Sequence, residues 1–472
     1  MLHLYDTRER SVVQISPADG NCYTLYACGP TVYRDAHVGN LRTFMLADLI
    51  ARAVTLDGYS IRIVQNITDV GHMVDDRGLG DADEGQGNTE DKLLAESENQ
   101  NRSALDIARH YENQFKHDLA LLNCRPADVY PRASEWIDSM VEVISTLIDR
   151  GHAYVGGDGS VFFDAQSCSD YGAISGNKLA ELKPGHRFDG GVDENKRFHA
   201  DWALWKIAPE TRTQLVWQTP WGVGFPGWHI ECSAMSVANF GSSIDIHTGG
   251  IDLRFPHHED ERAQSNAFTG TDVVRHWVHA EHLLFEGRKM SKSTGNVVLL
   301  SDVTARGFDP LSLRLAFLST RYRTQIDLNW DSIAAANGHI SRWREKIAET
   351  LSEPCAVSTD ISEFQEKFMA AILDDLDTPR AVNVVRDCEK NSDVQTFAAF
   401  ALWADGFLGL DLNRAPEKIE IPAEVLALVE LRENARSNKE WQRSDELRNQ
   451  IAELGWNVKD TKSGPEITQL TK

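Results

Sequence analysis

The sequence predicts an α/β protein in which a parallel sheet is followed by an all-helical region. Residues 22–28 and 60–66 are runs of β-branched and aromatic side chains, and residues 39–57 between them have the apolar spacing of a helix. This order describes a β-α-β unit, and parallel sheets bind their ligands beyond the carboxyl ends of the strands. After residue 305 the apolar residues recur at helical spacing nearly to the C-terminus.

The same periodicity predicts the remaining elements. Residues 152–164 are strand-like and precede a polar stretch to about residue 200, which indicates an insertion between two halves of the sheet domain. Residues 73–98 are acidic, rich in glycine and poor in large apolar side chains, so they are predicted to form a solvated surface loop. Helices are predicted at 102–122, 134–151, 310–319, 331–351, 360–375, 378–389, 393–404, 422–436 and 440–454.

Length, composition and net charge limit the classes of protein to which this chain can belong. At 472 residues the chain is long enough for about three or four domains. It has no apolar run of about 18 residues and no basic-then-apolar leader, so we expect a cytoplasmic protein with no membrane partner. Its seven cysteines are irregularly spaced, which argues against a disulfide framework. The net charge of −23 opposes nucleic-acid binding in general, but a polyanion binds a local patch, so such a partner is not excluded.

One candidate phosphate site lies in residues 26–44, YACGPTVYRDAHVGNLRTF. A helix that begins after His37 would present its free N–H groups and its positive dipole end to an anion. Gly39 lets a ligand approach the backbone closely, and His37 can donate a hydrogen bond to a phosphoryl oxygen. Taken alone, this short pattern is more often that of an ordinary loop histidine.

A second motif strengthens this prediction. Residues 287–296, GRKMSKSTGN, carry Lys289 and Lys292 on a glycine-bounded loop, and two flexible ammonium groups suit a polyphosphate leaving group. A His-x-Gly-Asn turn followed about 250 residues later by Lys-Met-Ser-Lys-Ser resembles the class I aminoacyl-tRNA synthetases. The resemblance implies a Rossmann catalytic fold that activates an amino acid with ATP and releases pyrophosphate. Asn40 stands where many members of the class carry a second histidine, which leaves its role open.

Three remote segments carry the ligand chemistry of a metal. Cys28 ends the first predicted strand, and residues 226–236, PGWHIECSAMS, supply Cys232. Residues 255–261, FPHHEDE, open a predicted helix on which His257 and Glu261 share one face, while His258 and Glu259 point elsewhere. Two thiolates, an imidazole and a carboxylate suit zinc, but these separations are not those of a zinc finger. Buried core cysteines and a purely structural metal are the alternatives at this point.

With these segments, the chain resembles the cysteinyl-tRNA synthetase family from end to end, including LRENARSNKEWQRSDELRNQIAELGWNVKDT in the tail. The resemblance implies that L-cysteine is activated with ATP, accompanied by Mg²⁺, and transferred to the 3′-terminal adenosine of tRNA(Cys). It implies one zinc ion per subunit, bound to the substrate thiolate and to Cys28, Cys232, His257 and Glu261. The residues it implies as catalytic are His37, Asn40, Lys289 and Lys292.

Further positions are predicted to bind the nucleotide and the amino acid. In HTGGIDL, Gly249 and Gly250 allow a nucleotide to approach the backbone closely, and Asp252 can accept hydrogen bonds from its hydroxyl or amine groups. From the other two motifs, His37, Gly39 and Lys292 are also predicted to bind the nucleotide. Together with Cys28, Thr68 and Trp228 match positions that line the amino-acid pocket in the family, or are plain scaffold. His247 is ambiguous, and Val70-Gly71-His72 depart from the residues usual in the family.

Zinc would solve a difficult selection problem. Serine differs from cysteine by oxygen for sulfur, and an apolar pocket separates such similar molecules poorly. A zinc ion binds a soft thiolate strongly, whereas a serine hydroxyl stays protonated and is a poor ligand. Editing would then be unnecessary.

The resemblance divides the chain into five regions. They are 1–120 and 216–304 for the two halves of the Rossmann catalytic domain, 121–215 for a connective insertion, 305–404 for a helical bundle and 405–472 for a small anticodon-binding domain. A monomer is expected.

In the tail, four basic residues are predicted along one side of a helix with Trp441 nearby, as a contact for RNA phosphates and an unstacked base or as an ordinary solvated face. The four are Arg432, Arg436, Lys439 and Arg443. Two other functions are considered. A cysteine ligase that acts on an amino sugar, as in mycothiol biosynthesis, would lack this tail, and a noncatalytic zinc-containing RNA-binding paralogue would be free to lose Lys289 and Lys292.

Overall fold

A computed structural model describes residues 1–70, 91–182, 194–290, 295–351, 360–415, 422–461 and 464–469. Lys292, Gly71, His72 and most of the predicted 73–98 loop lie outside these ranges. Among the described residues, no helix has both the length and the apolar character needed to cross a bilayer.

The first elements confirm the predicted β-α-β unit. An antiparallel hairpin of β1 (His3–Asp6) and β2 (Ser11–Gln14) precedes it and was not predicted. The unit consists of β3 (Cys22–Ala27), α1 (Val38–Leu56) and β4 (Ser60–Gln65), each within a residue of the sequence prediction. Strands β3 and β4 pair in parallel, from Cys22 opposite Ser60 to Ala27 opposite Gln65. Residues after β3 and β4 therefore lie together at the carboxyl edge.

The predicted loop at 73–98 is wrong in its last part. Helix α2 (Lys92–Gln100) begins there, because Asp91 caps it by accepting from the backbone N–H groups of Leu93 and Leu94. Leu93 is buried, so a short amphipathic helix forms in a segment whose average composition is acidic. The following helices are α3 (Ala104–Leu121) and α4 (Ile137–Asp149).

The insertion is built on an antiparallel sheet. Its strands are β5 (Ala153–Val155), β6 (Val161–Phe163), β7 (Trp202–Ile207), β8 (Trp217–Thr219) and β9 (Gly222–Pro226). They lie in the order β5-β6-β7-β9-β8, so the sheet extends beyond residue 215, where the insertion was predicted to end.

After the insertion the chain completes the parallel sheet. The elements are α5 (Trp228–Phe240), β10 (Ile244–Gly250), α6 (His257–Thr269) and β11 (Val274–Ala280). The order β11-β10-β3-β4 places β10 beside β3, and all seven residues of β10 are buried, as in a sheet covered on both faces. The segments before and after the insertion therefore join through parallel pairing of β3 and β10.

The linking region that follows is a small three-stranded sheet with two helices. Its elements are β12 (Leu283–Phe285), β13 (Arg288–Lys289), α7 (Leu300–Ala305), α8 (Pro310–Leu318) and β14 (Ile326–Leu328). Arg314 on α8 is fully buried and pairs with Asp48 on α1 at 2.6 Å, so the helical region is anchored to the helix that begins at His37.

The described residues after β14 are mostly helical, as predicted, and two antiparallel strands follow the last helix. The helices are α9 (Trp330–Leu351), α10 (Ser362–Ile372), α11 (Thr378–Asn391), α12 (Val394–Leu408), α13 (Ala423–Ser437) and α14 (Trp441–Glu453). The antiparallel strands β15 (Trp456–Thr461) and β16 (Gly464–Gln469) follow. Val425, Val429, Ile451, Trp456 and Val458 form a core of their own for this terminal unit.

Candidate metal centre and nucleotide site

The loops after β3 and β4 are joined to each other at the carboxyl edge of the sheet. The backbone N–H of Gly29 donates to Asn66 Oδ1 at 2.8 Å, and a Cβ at position 29 would lie 1.6 Å from the carbonyl oxygen of Asn66, so only glycine fits. The backbone N–H of Thr68 donates to the carbonyl of Pro30 at 3.1 Å. These bonds hold Thr68, which is buried, beside the loop that leaves Cys28.

Four of the predicted residues converge beyond this edge. Cys28 follows β3, Cys232 lies on α5, and His257 and Glu261 lie one turn apart on α6. Their ligand atoms all lie within 4.8 Å of one another, and all four side chains are buried. We call Cys28, Cys232, His257 and Glu261 the Cys232 group.

The donor set and its spacing fit a soft divalent metal. The two Sγ atoms are 4.0 Å apart, far longer than a disulfide and close to the roughly 3.8 Å that two sulfurs adopt on a tetrahedral zinc ion with bonds of about 2.3 Å. His257 Nε2 lies 2.9 Å from Glu261 Oε1, while Glu261 Oε2 is buried without a hydrogen-bond partner. A buried carboxylate oxygen with no donor is costly unless a cation completes it.

A second group of possible ligands shares two of these residues. His247 and His258 lie with Cys28 and Glu261 inside the same 4.8 Å limit, and we call these four residues the His247 group. His247 Nε2 lies 3.4 Å and His258 Nε2 3.3 Å from Cys28 Sγ. The prediction that His258 points away is therefore wrong, because consecutive residues in the first turn of a helix can both border a point near its axis.

The protonation of the cluster follows from burial and from neighbouring charges. Burial raises the pKa of the Cys28 thiol well above its ordinary value, and Cys232 and Glu261 raise it further. Burial opposes ionisation of Cys232 too, but hydrogen bonds from Cys28 and His257 outweigh it and lower its pKa. Burial would lower the pKa of His257, yet the Glu261 carboxylate and Cys232 raise it to about 10. Metal binding to the Cys232 group would therefore displace protons.

Burial lowers the pKa of three other histidines near the cluster. Burial lowers the pKa of His247 to about 4 and that of His279 to about 3. Burial and the adjacent His247 lower the pKa of His258 well below its ordinary value. Aromatic rings enclose the site, since Trp228 stacks on His257 at 4.2 Å and Trp277 stacks on His247 at 4.5 Å.

The candidate phosphate site has an ordered turn. His37 is the N-cap of α1, and its Nδ1 accepts from the backbone N–H of Asn40 at 3.2 Å. Asn40 Oδ1 accepts in return from the backbone N–H of His37 at 3.3 Å, which completes a capping box. Asn40 therefore orients His37, and a neutral His37 must carry its proton on Nε2.

The structure also brings the two phosphate motifs together. The backbone N–H of Val38 donates to the carbonyl of Val298 at 2.9 Å, just after the lysine loop. A Cβ at Gly39 would lie 3.0 Å from Met290 Cε, so this glycine gives the loop room. Lys289 ends β13, where its carbonyl accepts from Asn296 Nδ2 at 3.0 Å.

Close packing explains why glycine occupies the two β10 positions that are predicted to approach a nucleotide. At Gly249 a Cβ would lie 2.7 Å from the ring of His258, so this glycine lets the second histidine approach the cluster. At Gly250 it would lie 2.3 Å from Asp252 Oδ1. Asp252 lies in a single 3-10 turn after β10, at the same edge of the sheet. Their predicted nucleotide contacts stay predictions.

The basic stripe predicted in the tail is interrupted. Helix α13 ends at Ser437 and α14 begins at Trp441, so the four basic residues do not share one helix, and Lys439 lies between them with a left-handed φ of 61°. Arg432 is buried and forms two hydrogen bonds with Asp460, which makes it structural. Trp441 is 58% exposed, and the Arg436 guanidinium lies 5.9 Å from its ring centre.

Comparison with known proteins places this architecture in a family. Residues 14–338 match the tRNA synthetases class I (C) catalytic domain, and residues 419–466 match the Cysteinyl-tRNA ligase anticodon binding domain. A Cysteine--tRNA ligase of Thermus thermophilus is 38% identical over 98% of both chains, and that of Opitutus terrae is 39% identical over the whole of both. The chain belongs to the cysteinyl-tRNA synthetase family.

Solved structures agree at the level of fold with this family membership. The Mycobacterium tuberculosis methionyl-tRNA synthetase in complex with methionyl-adenylate aligns with a TM-score of 0.53 at 15% identity, over 83% of this chain and 88% of that one. The Agrobacterium radiobacter LeuRS ternary complex aligns with a TM-score of 0.58 at 10% identity, over 84% and 85% of the two chains. The predicted Rossmann fold of class I is thus confirmed.

Proposed function

We propose that this chain ligates L-cysteine to tRNA(Cys) with ATP, and that a zinc ion held by the Cys232 group selects cysteine by its sulfur. The proposal is carried by one observation, the convergence of two sulfurs, an imidazole and a carboxylate at the carboxyl edge of the parallel sheet. When bound there, zinc supplies a soft Lewis acid that binds a thiolate and discriminates against a hydroxyl.

The residues around the cluster would shape the amino-acid pocket. Trp228 covers His257 with its ring, so it limits the size of a side chain that approaches the sulfur site. Thr68 is held by bonds from the loop after β3, and its Oγ1 accepts from Asn66 Nδ2 at 3.1 Å. A pocket lined by side chains that are already ordered binds a small substrate with a smaller free-energy cost of reorganisation.

His37 would act on the nucleotide. Because the capping box occupies Nδ1, a neutral His37 carries its proton on Nε2, from which it can donate to a phosphoryl oxygen whose charge grows as pyrophosphate departs. The N-terminus of α1 adds the positive end of the helix dipole at the same place. Lys289 and Lys292 on the adjoining loop would neutralise the leaving group, and Mg²⁺ would accompany ATP.

The terminal unit would bind the tRNA anticodon. Trp441 offers an exposed ring for stacking on an unpaired base, and Arg443 is 63% exposed for contact with phosphate. The presence of this unit argues against the amino-sugar ligase. We further propose that the protein acts as a monomer in the cytoplasm.

The decisive experiment is cysteine-dependent ATP–pyrophosphate exchange, with serine as the control, followed by charging of tRNA(Cys). We expect exchange with cysteine and at least about 1000-fold less with serine, because a hydroxyl neither ionises nor binds zinc well. Exchange without charging would point to the amino-sugar ligase. An absence of exchange would point to the noncatalytic paralogue and contradict the proposal.

A matched pair of variants tests the role of His37. In Asn40→Ala the imidazole is present but loses its orienting partner, whereas in His37→Ala the donor itself is gone. We expect exchange to fall about 100-fold for His37→Ala and by less than about tenfold for Asn40→Ala. Equal losses of exchange in the two variants would show that the structure of the capping turn matters and that the imidazole N–H of His37 does not.

A further inference from the structure

A row of hydrogen-bonding groups leads from the metal centre into the insertion. His257 Nδ1 lies 2.8 Å from His229 Nδ1, and His229 Nε2 lies 3.4 Å from Asp260 Oδ2. The other carboxylate oxygen, Asp260 Oδ1, accepts from the hydroxyl of Tyr171 at 2.5 Å. All four side chains are buried. We call Tyr171, Asp260, His229 and His257 the carboxylate-ended chain.

Asp260 constrains where the protons of this chain lie, because its carboxylate faces His229 Nε2 at 3.4 Å, an ion-pair distance. An ionised Asp260 can only accept, so the proton of a neutral His229 lies on Nε2 and its Nδ1 is an acceptor. His257 must then donate from Nδ1. When His257 loses its second proton, its lone pair therefore forms on Nε2, the atom that lies 2.9 Å from Glu261 Oε1 and belongs to the Cys232 group.

We propose that Asp260 and Tyr171 are positioning residues that fix the tautomer and ring orientation of the metal ligand His257 through His229. A carboxylate behind a ligating imidazole raises its basicity and holds its ring, and here the carboxylate acts through one additional imidazole. The inference rests on the proposed zinc site.

The insertion contributes to the metal centre through this chain. Tyr171 lies between β6 and β7, and the neighbouring backbone N–H groups of Ile174 and Ser175 donate to Glu259 Oε2 at 3.0 and 2.8 Å. Segment 171–175 is therefore joined to the first turn of α6 by three hydrogen bonds. Their acceptors, Glu259 and Asp260, are consecutive residues of the turn that carries His257. The bonds that dock this part of the insertion therefore lie on the same helical turn as this ligand.

The test compares zinc affinity in the full chain and three variants by competition with a chelator, together with the visible absorption of the cobalt-substituted proteins. Asp260→Asn keeps the shape but removes the charge, and Tyr171→Phe removes one hydrogen bond to the carboxylate. Thr7→Val is the matched control, since it removes a buried hydroxyl from His279, which lies behind His258 instead. Unfolding of the metal-free proteins checks that each variant folds.

We expect Asp260→Asn to bind zinc about 10- to 100-fold more weakly and to shift the cobalt spectrum, Tyr171→Phe to lose less than about tenfold, and Thr7→Val to stay within about twofold. Equal affinity in the parent, Asp260→Asn and Tyr171→Phe would overturn the inference and leave the proposed zinc site standing. If Asp260→Asn fails to fold, Tyr171→Phe decides, with loss of affinity supporting the inference and parental affinity overturning it. A parent that binds no zinc would overturn the proposed function itself.

Discussion

Two consecutive histidines, His257 and His258, border the cluster of possible metal ligands, and the residues behind them differ. His257 is backed by His229 and then by the carboxylate of Asp260. His258 is backed by His279 at 2.8 Å and then by the hydroxyl of Thr7 at 2.7 Å, and we call these three residues the hydroxyl-ended chain. A hydroxyl can donate or accept, so Thr7 does not fix the tautomer of His258.

This difference separates the two possible ligand groups. The carboxylate-ended chain leaves the His257 lone pair directed to the cluster, as a metal ligand requires. In the hydroxyl-ended chain, His258 can instead donate its Nε2–H to Cys28 Sγ, 3.3 Å away, and so stabilise the thiolate that the metal needs. We infer that the Cys232 group binds the ion and that His247 and His258 support Cys28.

Removal of the metal has the largest expected effect. An ion that binds only the folded chain stabilises it by about 4 kcal/mol at a thousandfold excess over its dissociation constant. We expect a chelator to remove this contribution from the parent and from Thr7→Val, but to remove only about 1.4 kcal/mol from Cys232→Ser, as followed by thermal unfolding. If Cys232→Ser responded to the chelator as the parent does, the ion would belong to the His247 group.

Loss of one cysteine ligand is expected to have the second-largest effect. A structural zinc site contributes about 10–16 kcal/mol in total, so one of four ligands accounts for about 3 kcal/mol, or roughly 100-fold or more in affinity. Zinc titration of Cys232→Ser should show this loss. The control His247→Phe keeps the ring stacked on Trp277 and should stay within about threefold of the parent. The opposite ranking would contradict the assignment.

The two neighbouring histidines can be compared directly. His257→Gln should weaken zinc binding about 100-fold, since it removes a ligand, whereas His258→Gln should cost less than about tenfold, since it removes a hydrogen bond to Cys28. Equal losses in the two titrations would mean that both rings bind the ion. The unfolding of each metal-free variant controls for a loss of structure.

The smallest effect is expected at the far end of the hydroxyl-ended chain. Thr7→Val leaves His279 Nδ1 buried without its partner, which should cost about 1–2 kcal/mol of unfolding free energy in denaturant titrations. Zinc affinity should not change. If Thr7→Val lost more zinc affinity than Tyr171→Phe, the hydroxyl-ended chain would also support zinc binding, which contradicts the comparison.

The sequence predicted the parts of this site that local patterns control. Strand β3, helix α1 and strand β4 agree within a residue, because their apolar periodicity is regular and His37 begins the helix as its cap. The convergence of Cys28, Cys232, His257 and Glu261 was expected from the family resemblance, since no spacing rule joins cysteines 204 positions apart.

The errors arise where the fold overrides local averages. The acidic composition of 73–98 concealed the capping signal of Asp91 and the buried Leu93. The regular spacing of Arg432, Arg436 and Arg443 continued by coincidence across a turn between two helices. Asp260 and Tyr171 could not be linked in advance, because their contact depends on how the insertion docks on α6.

The hydrogen bond between Val38 and Val298 couples two segments that are remote in the sequence. It joins main-chain atoms, so side-chain variation at either position leaves it intact, and it ties a residue just after the lysine motif to the first residue of α1. A displacement of Val298 would therefore be transmitted through the main chain to the start of that helix.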